Sequence, residues 1–313
     1  MPDLNILRDV SSICFIPFYK LNLKNQLGEG ASSCVYECTI DDKDYVAKVI
    51  KSDNYEDVED YLYELNLAST LLDTKHIIHF KGFSYEKLNE DYFYYIIIME
   101  KLNCKGDLYD YIQNEAEWSC SRNYNNLIVP EPLSNYVYYN SGDDVYWSYH
   151  LPLDTKIKIV KSFANALLEL HNKGVVHGDL KTNNIVLHHI NNEPSIKIID
   201  LGTATLTKEK TLFKIESKYG TEGYRAPEQD KYKLHYKSDV YSWGITVIEI
   251  WNGEIWKDGK TFQQTRMEAL SGLRTIEKYH KDLGKLLRKT IQIPYHKRPY
   301  INTIVEKLNN LQF

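Results

Sequence analysis

Cysteine is scarce and unpaired in this chain. The five cysteines, Cys14, Cys34, Cys38, Cys104 and Cys120, are odd in number and never form a Cys-x-x-Cys pair. That excludes a disulfide framework and a zinc-ribbon type of site, and it points to a reducing, intracellular compartment. No apolar run is long enough to span a bilayer; the most apolar helix candidate, Val240 to Trp251, is short and carries Glu249. The N-terminus places Asp3, Arg8 and Asp9 ahead of the brief run Ile13 to Phe18, which is no secretory leader, and no lipidation signal is legible. Basic excess is also lacking. With 38 Lys and Arg against 43 Asp and Glu, the formal net charge of −5 gives no field that would draw nucleic acid or an anionic membrane. The expectation is a cytoplasmic protein with neither kind of partner, the nucleus being left open.

What the chain does have is core material and chemistry. At 313 residues and 43% hydrophobic content it is long enough for one large domain or two lobes. Two stretches carry the chemistry: His177-Gly178-Asp179-Leu180-Lys181-Thr182-Asn183-Asn184-Ile185, and Ile198-Ile199-Asp200-Leu201-Gly202. They set a carboxylate base, a cation and two oxygen ligands for a hard metal at strand and loop ends, the equipment that phosphoryl transfer requires.

These stretches, with Ala226-Pro227-Glu228 downstream, resemble the catalytic loop, metal-binding turn and third landmark of the eukaryotic protein kinases, in that family's order. The resemblance implies an α+β, bilobal fold, with a small antiparallel sheet and one helix in the N-lobe and a larger, mostly helical C-lobe. It divides the chain into an N-terminal extension, 1–20, and a kinase domain, 21–313. Within that domain the N-lobe is 21–99, the hinge 100–103 and the C-lobe 104–313, with a Tyr-rich insert at about 119–153. It also implies transfer of the γ-phosphoryl group of ATP to a protein hydroxyl, with Mg²⁺, or Mn²⁺ in its place, as metal. Asp179 would orient the hydroxyl and take its proton, Lys181 would neutralise the migrating group, and Asn184 and Asp200 would hold the metal.

In chain order, Leu21 to Ile50 alternates with period two around the polar turn Asp41-Asp42-Lys43-Asp44, which reads as strands. Gly28-Glu29-Gly30-Ala31 is followed by a strand and not by a helix, which favours a flap over phosphates to a dinucleotide fingerprint. By resemblance Ala47-Lys48 supplies the cation to the phosphates. From Tyr55 to Leu72, Val58, Leu62, Leu65, Ala68 and Leu72 recur at helical steps. Glu64 shares a face with Tyr61, Leu65 and Ala68 and is the candidate partner of Lys48, while Glu56 and Glu59 sit in turns where carboxylates offset the helix dipole. Tyr92 to Met99 reads as a buried strand. The resemblance makes Met99 the residue behind the adenine, gives the peptide groups of Glu100 and Leu102 to its edge, and adds Leu27, Val35, Ala47 and Val186 to the nucleotide's surroundings. Asp107 is placed either to reach a ribose hydroxyl or a basic substrate residue, or to cap its helix.

Between about Ser119 and Leu153 lies an insert holding Tyr124, Tyr136, Tyr138, Tyr139, Tyr146, Trp147 and Tyr149. It reads equally as a docking element and as a self-packed surface excursion. Asp154 to Asn172 is a strong helix pattern with Gly174 as its stop, and His177 is expected to be structural. Gly178 and Leu201 stand where the family has arginine and phenylalanine. The missing arginine removes the usual partner of a phosphorylated activation loop, so the expectation is an enzyme competent without it. That loop, Gly202 to Glu228, offers Thr203, Thr205, Thr207, Thr211, Ser217, Tyr219 and Thr221 as hydroxyls. Lys181 with Gly220-Thr221 resembles the serine/threonine branch. By resemblance Asp239 would hold the catalytic-loop backbone and Arg298 would pair with Glu228. The last helix, Pro299 to Leu311, is expected to leave no regulatory tail. The alternatives are a silent pseudokinase that binds nucleotide or a partner, and a dual-specificity or tyrosine kinase; retention of Lys48, Asp179, Asn184 and Asp200 argues against the first.

Overall fold

The computed structural model describes residues 14–29, 33–52, 55–89, 92–104, 106–112, 136–141, 144–149, 151–190, 193–207, 212–215, 220–252 and 261–311. For 55–58, 136–141, 144–149, 190 and 193 this covers the backbone only. Gly30, Ala31, Cys120, Tyr124, Thr211, Ser217 and Tyr219 lie outside the described residues. The chain forms two compact units, Met1–Asn103 with Asp200–Gly202, and Cys104–Ile199 with Thr203–Phe313.

The first unit is built on a six-stranded sheet. Strands β2 (Asn22–Glu29), β3 (Ser33–Ile40), β4 (Lys43–Ser52), β5 (Phe80–Lys87) and β6 (Phe93–Glu100) pair antiparallel in the order β5-β6-β4-β3-β2. Asp41 and Asp42 both take positive φ, 46° and 61°, between β3 and β4. Two-residue hairpin turns require that twist, and aspartate tolerates it better than most side chains. The middle of β6, Tyr95 to Met99, is apolar without alternation because both faces of the sheet are covered. On one face Ile96 and Ile98 join Cys38, Ile40, Ala47 and Val49. Helix α1 (Tyr55–Thr70) buries Tyr61, Leu65 and Ala68, and the Tyr61 ring lies 5.1 Å from that of Tyr95. The sheet departs from the expected antiparallel one at its edge: β1 (Cys14–Phe15) pairs parallel with β5.

The second unit is organised around helix α3 (Tyr236–Asn252), which is buried at every residue from Tyr236 to Trp251. A helix apolar or internally satisfied all round belongs at the centre of a core. Helix α2 (Leu153–Asn172) follows Pro152; of the apolar positions that the periodicity puts on one stripe, Val160, Phe163, Ala164 and Leu167 are buried and Ile157, Leu168 and His171 are half-buried, while Ile159 and Leu170, outside that stripe, are buried too. Phe163 meets Trp243 of α3 at 6.3 Å between ring centroids. Helix α4 (Phe262–Tyr279) begins with a capping box between Thr261 and Gln264, and α5 (Lys281–Thr290) and α6 (Ile301–Asn310) complete the helical part. Short strands support the loops: β9 (Val175–Val176) with β12 (Thr205–Leu206), β10 (Ile185–Ile190) with β11 (Glu193–Ile198), and β13 (Phe213–Lys214) with β14 (Lys233–Leu234). Within the insert, β7 (Tyr136–Ser141) and β8 (Asp144–Tyr149) form an antiparallel hairpin with Tyr138 opposite Trp147. Among the described residues no helix is long and apolar enough to cross a membrane.

Candidate active site

In the first unit, the β4–β6 register sets Lys48 opposite Ile97 and Ala47 opposite Ile98. The Lys48 ammonium reaches both oxygens of Glu64 on α1, at 3.0 and 2.9 Å, and lies 3.6 Å from Asp200 Oδ1. Burial acts most strongly on Lys48 and would lower its pKa, yet the charges of Glu64 and then Asp200 outweigh it and hold the group above its usual value. Burial also raises Glu64, against the pull of Lys48. Asp200 Oδ1 accepts the Gly202 amide at 3.0 Å, and half of the Asp200 side chain is exposed.

The remaining nucleotide candidates of this unit take up distinct environments. Leu27 is exposed on β2, and a Cβ added at Gly28 would meet nothing within 4 Å. Close protein packing therefore gives no reason for the glycine at 28. Glu29 is exposed on β2, Val35 is half-buried on β3, Ala47 and Met99 are buried, and Leu102 is half-buried. The Glu100 carboxylate accepts the His79 amide at 2.9 Å, and the Glu100 amide donates to the His79 carbonyl at 2.9 Å.

In the second unit, Asp179, Lys181, Asn184 and Thr221 form one cluster. Asp179 Oδ1 accepts the Thr221 amide at 2.7 Å. The Lys181 ammonium donates to Thr221 Oγ1 at 2.7 Å and lies 3.3 Å from Asp179 Oδ2. Asn184 donates its amide nitrogen to the Asp179 carbonyl at 2.8 Å, which leaves its amide oxygen as the atom to meet a cation. Asp107 accepts the Asp110 backbone amide at 2.8 Å, which is the helix-cap reading, and its other oxygen accepts the Asn183 side-chain amide at 3.2 Å. Val186 is buried on β10.

The loop that carries this cluster is held from beneath by buried carboxylates of α3. Asp239 accepts the amides of His177 and Gly178, each at 2.8 Å, and the His171 ring at 3.0 Å. Gly178 has φ +81°, where only glycine is unstrained. Glu249 accepts the Tyr224 hydroxyl at 2.7 Å and the Thr182 hydroxyl at 3.2 Å. Burial, with Glu249 next, raises the Tyr224 hydroxyl well above its usual value, so it stays a donor. Fully buried Gln229 donates to the Gly178 carbonyl and accepts the Ala226 amide, both at 2.8 Å. Sequence reasoning missed the support given by Glu249 and Gln229. The available signal was a carboxylate inside an apolar helix, which must find donors. Arg298, fully buried, makes a two-pronged pair with Glu228 at 2.7 and 2.9 Å.

The protein kinase domain model matches residues 21–308. RAF proto-oncogene serine/threonine-protein kinase of Xenopus laevis is 36% identical over 125 residues, 36% of this chain and 19% of that protein. Serine/threonine-protein kinase PrkC of Bacillus subtilis (strain 168) is 28% identical over 155 residues, 47% of this chain and 24% of that protein. Cysteine-rich receptor-like protein kinase 26 of Arabidopsis thaliana is 28% identical over 265 residues, 80% of this chain and 32% of that protein. The chain thus spans a third or less of each of these relatives.

Proposed function

The chain belongs to the protein kinase family, and from that premise we propose that it transfers the γ-phosphoryl group of ATP to serine and threonine hydroxyls of protein substrates in the cytoplasm. The carrying observation is the cluster in which Asp179, Lys181, Asn184 and Thr221 are joined by hydrogen bonds and one ion pair.

The residues fit a metal-nucleotide by the chemistry of their donors. The amide oxygen of Asn184 and the carboxylate of Asp200 are hard oxygen ligands of the kind that Mg²⁺ takes, with Mn²⁺ as a substitute. When bound, the metal neutralises phosphate charge. Lys48, kept protonated, is the cation for the nucleotide's phosphates, and Glu64 positions it. The space beside Gly28 lets backbone approach those phosphates. Asp179 holds the acceptor hydroxyl in line and takes its proton; Lys181 offsets the negative charge that develops on the transferred group. Thr221, held by both, supports the serine/threonine choice.

This reading includes competence without activation-loop phosphorylation. Gly178 offers no guanidinium to a phosphorylated loop, and a side chain there would start 3.3 Å from the Thr203 carbonyl in left-handed backbone. Phe213 and Ile215 pack on Val176, Leu234 and Tyr236, and the Ile215 amide bonds the Tyr232 carbonyl at 3.0 Å. The Tyr236 hydroxyl reaches the Thr207 carbonyl at 2.9 Å. An apolar clasp with backbone bonds thus does what a phosphate-arginine pair would do. Phosphatase-treated protein should still transfer phosphate from ATP to a generic protein substrate, with phosphoserine and phosphothreonine as products. Loss of transfer after phosphatase would remove the constitutive part of the proposal, and phosphotyrosine alone would remove the serine/threonine assignment.

A further inference from the structure

The segment ahead of the family domain is built into the first unit. Residues Cys14 and Phe15 pair with Gly82 and Phe83, and the Ile16 amide donates to the Phe83 carbonyl at 2.8 Å. The Phe15 ring sits 5.5 Å from Phe83 and 5.3 Å from Tyr85. Ile16, Phe18 and Leu21 pack against the core cluster of Cys38, Ile40, Ala47, Val49, Ile96 and Ile98. Gly82 is shaped for this contact: a Cβ there would come within 2.6 Å of Ile16 Cδ1 and 2.7 Å of the Cys14 carbonyl. The family match begins at residue 21, so this seat belongs to the chain's own extension.

The strand that receives the extension also holds the helix of Glu64. The Tyr61 hydroxyl, buried on α1, lies 3.1 Å from the carbonyl of Ser84, the residue after Phe83, and 3.3 Å from that of Ile96. Tyr61 and Glu64 are one turn apart, so fixing one sets the height and rotation of the other. A short line of bonds therefore runs from Ile16 through β5 and Tyr61 to the Glu64–Lys48 pair. An unsatisfied edge strand is free to fray or to pair elsewhere, and covering it removes that freedom.

We propose that residues 14–21 are a strap whose seating on β5 positions Glu64, through Tyr61, against Lys48. The inference rests on the kinase reading of that pair. Its residues are positioning residues: they touch neither nucleotide nor substrate.

The test uses the full chain with Phe15→Asp and Ile16→Asp together, Gly82→Val as an independent way to unseat the strap, Tyr61→Phe, and the conservative Ile16→Val. Assays are run below the melting temperature of every variant. Unseating the strap should lower kcat by on the order of tenfold, the scale expected of a modest misplacement of a catalytic group, and Ile16→Val should restore it. Combining Tyr61→Phe with the double Asp variant should cost no more than the worse of the two, because both cut the same line. Hydrogen exchange at the amides of 61–65 should accelerate when the strap is unseated. An unchanged kcat, or losses that multiply, would overturn the inference. If the wild type transfers no phosphate, the kinase reading fails by itself; the exchange measurement still decides the strap, and unaltered protection at 61–65 would sink it.

Discussion

The Lys48–Glu64 pair and the Asp179 loop are held in opposite ways. Lys48 and Glu64 face each other from a strand and a helix, and the helix is fixed to its sheet by a tyrosine hydroxyl and a few apolar side chains. The Asp179 loop rests on Asp239 and Glu249 of a helix buried from Tyr236 to Trp251, and Arg298, which also donates to the Lys237 carbonyl of that helix, clamps Glu228 to the same scaffold. A buried carboxylate with all its donors in place is costly to disturb, because each lost bond leaves a desolvated group. A pair spanning two elements is displaced by any small shift of either. On the proposed reading, the second unit holds the base rigidly and the first unit holds an adjustable ion pair.

This contrast can be broken in graded ways. Asp179→Asn should lower kcat by roughly 10²- to 10⁴-fold, the usual scale of a general base, with the melting temperature little changed. Arg298→Ala should do the reverse and cost about 3–5 kcal/mol in urea unfolding, since it leaves Glu228 buried and unpaired. If Arg298→Ala melts like the wild type, the scaffold account of the second unit is wrong. Lys48→Met sharpens the comparison. It should abolish transfer while leaving stability nearly intact, because burial already favours protonation of Glu64, which can lose its charge when its partner goes. Gly178→Ala should cost about 1–2 kcal/mol, the penalty for a side chain in left-handed backbone, read from the same unfolding curves.

The smallest effect concerns pH. Arg288 donates to Glu277 and holds that carboxyl below its ordinary value, against the opposing effect of burial. Because the folded pKa is the lower one, the pair's contribution is present above the ordinary carboxylate pKa and fades as pH falls through the lowered value. Wild type should lose slightly more stability than Glu277→Gln on acidification into that range; parallel curves would contradict it.

Much of this was legible in the sequence because it is carried by side-chain identity at fixed spacing. Asp179, Lys181, Asn184 and Asp200 announce themselves, and Glu64 follows from the face it shares with Leu65 and Ala68. The α2 stripe maps onto buried positions at Val160, Phe163, Ala164 and Leu167, and its edge positions Ile157, Leu168 and His171 are half-buried. The parallel β1 strand was not legible. Two residues show no period, their partner is distant in sequence, and the sole trace is a glycine at 82 whose need appears only once Ile16 sits over it. Glu249 was read as a charge that forbids a membrane span, and its role emerges only when Tyr224 and Thr182 are seen to converge on it. The insert's hairpin was hidden because tyrosine-rich segments with many Asn residues give no clean alternation.

The most direct measurement is Mg²⁺-dependent transfer of labelled γ-phosphate from ATP to a generic serine/threonine substrate, with wild type beside Asp200→Asn and Lys48→Met. The account predicts transfer by the wild type and collapse in both variants, each still folded. No transfer by a wild type whose melting temperature ATP still raises would contradict it, and would mark a nucleotide-binding protein that acts through its surfaces.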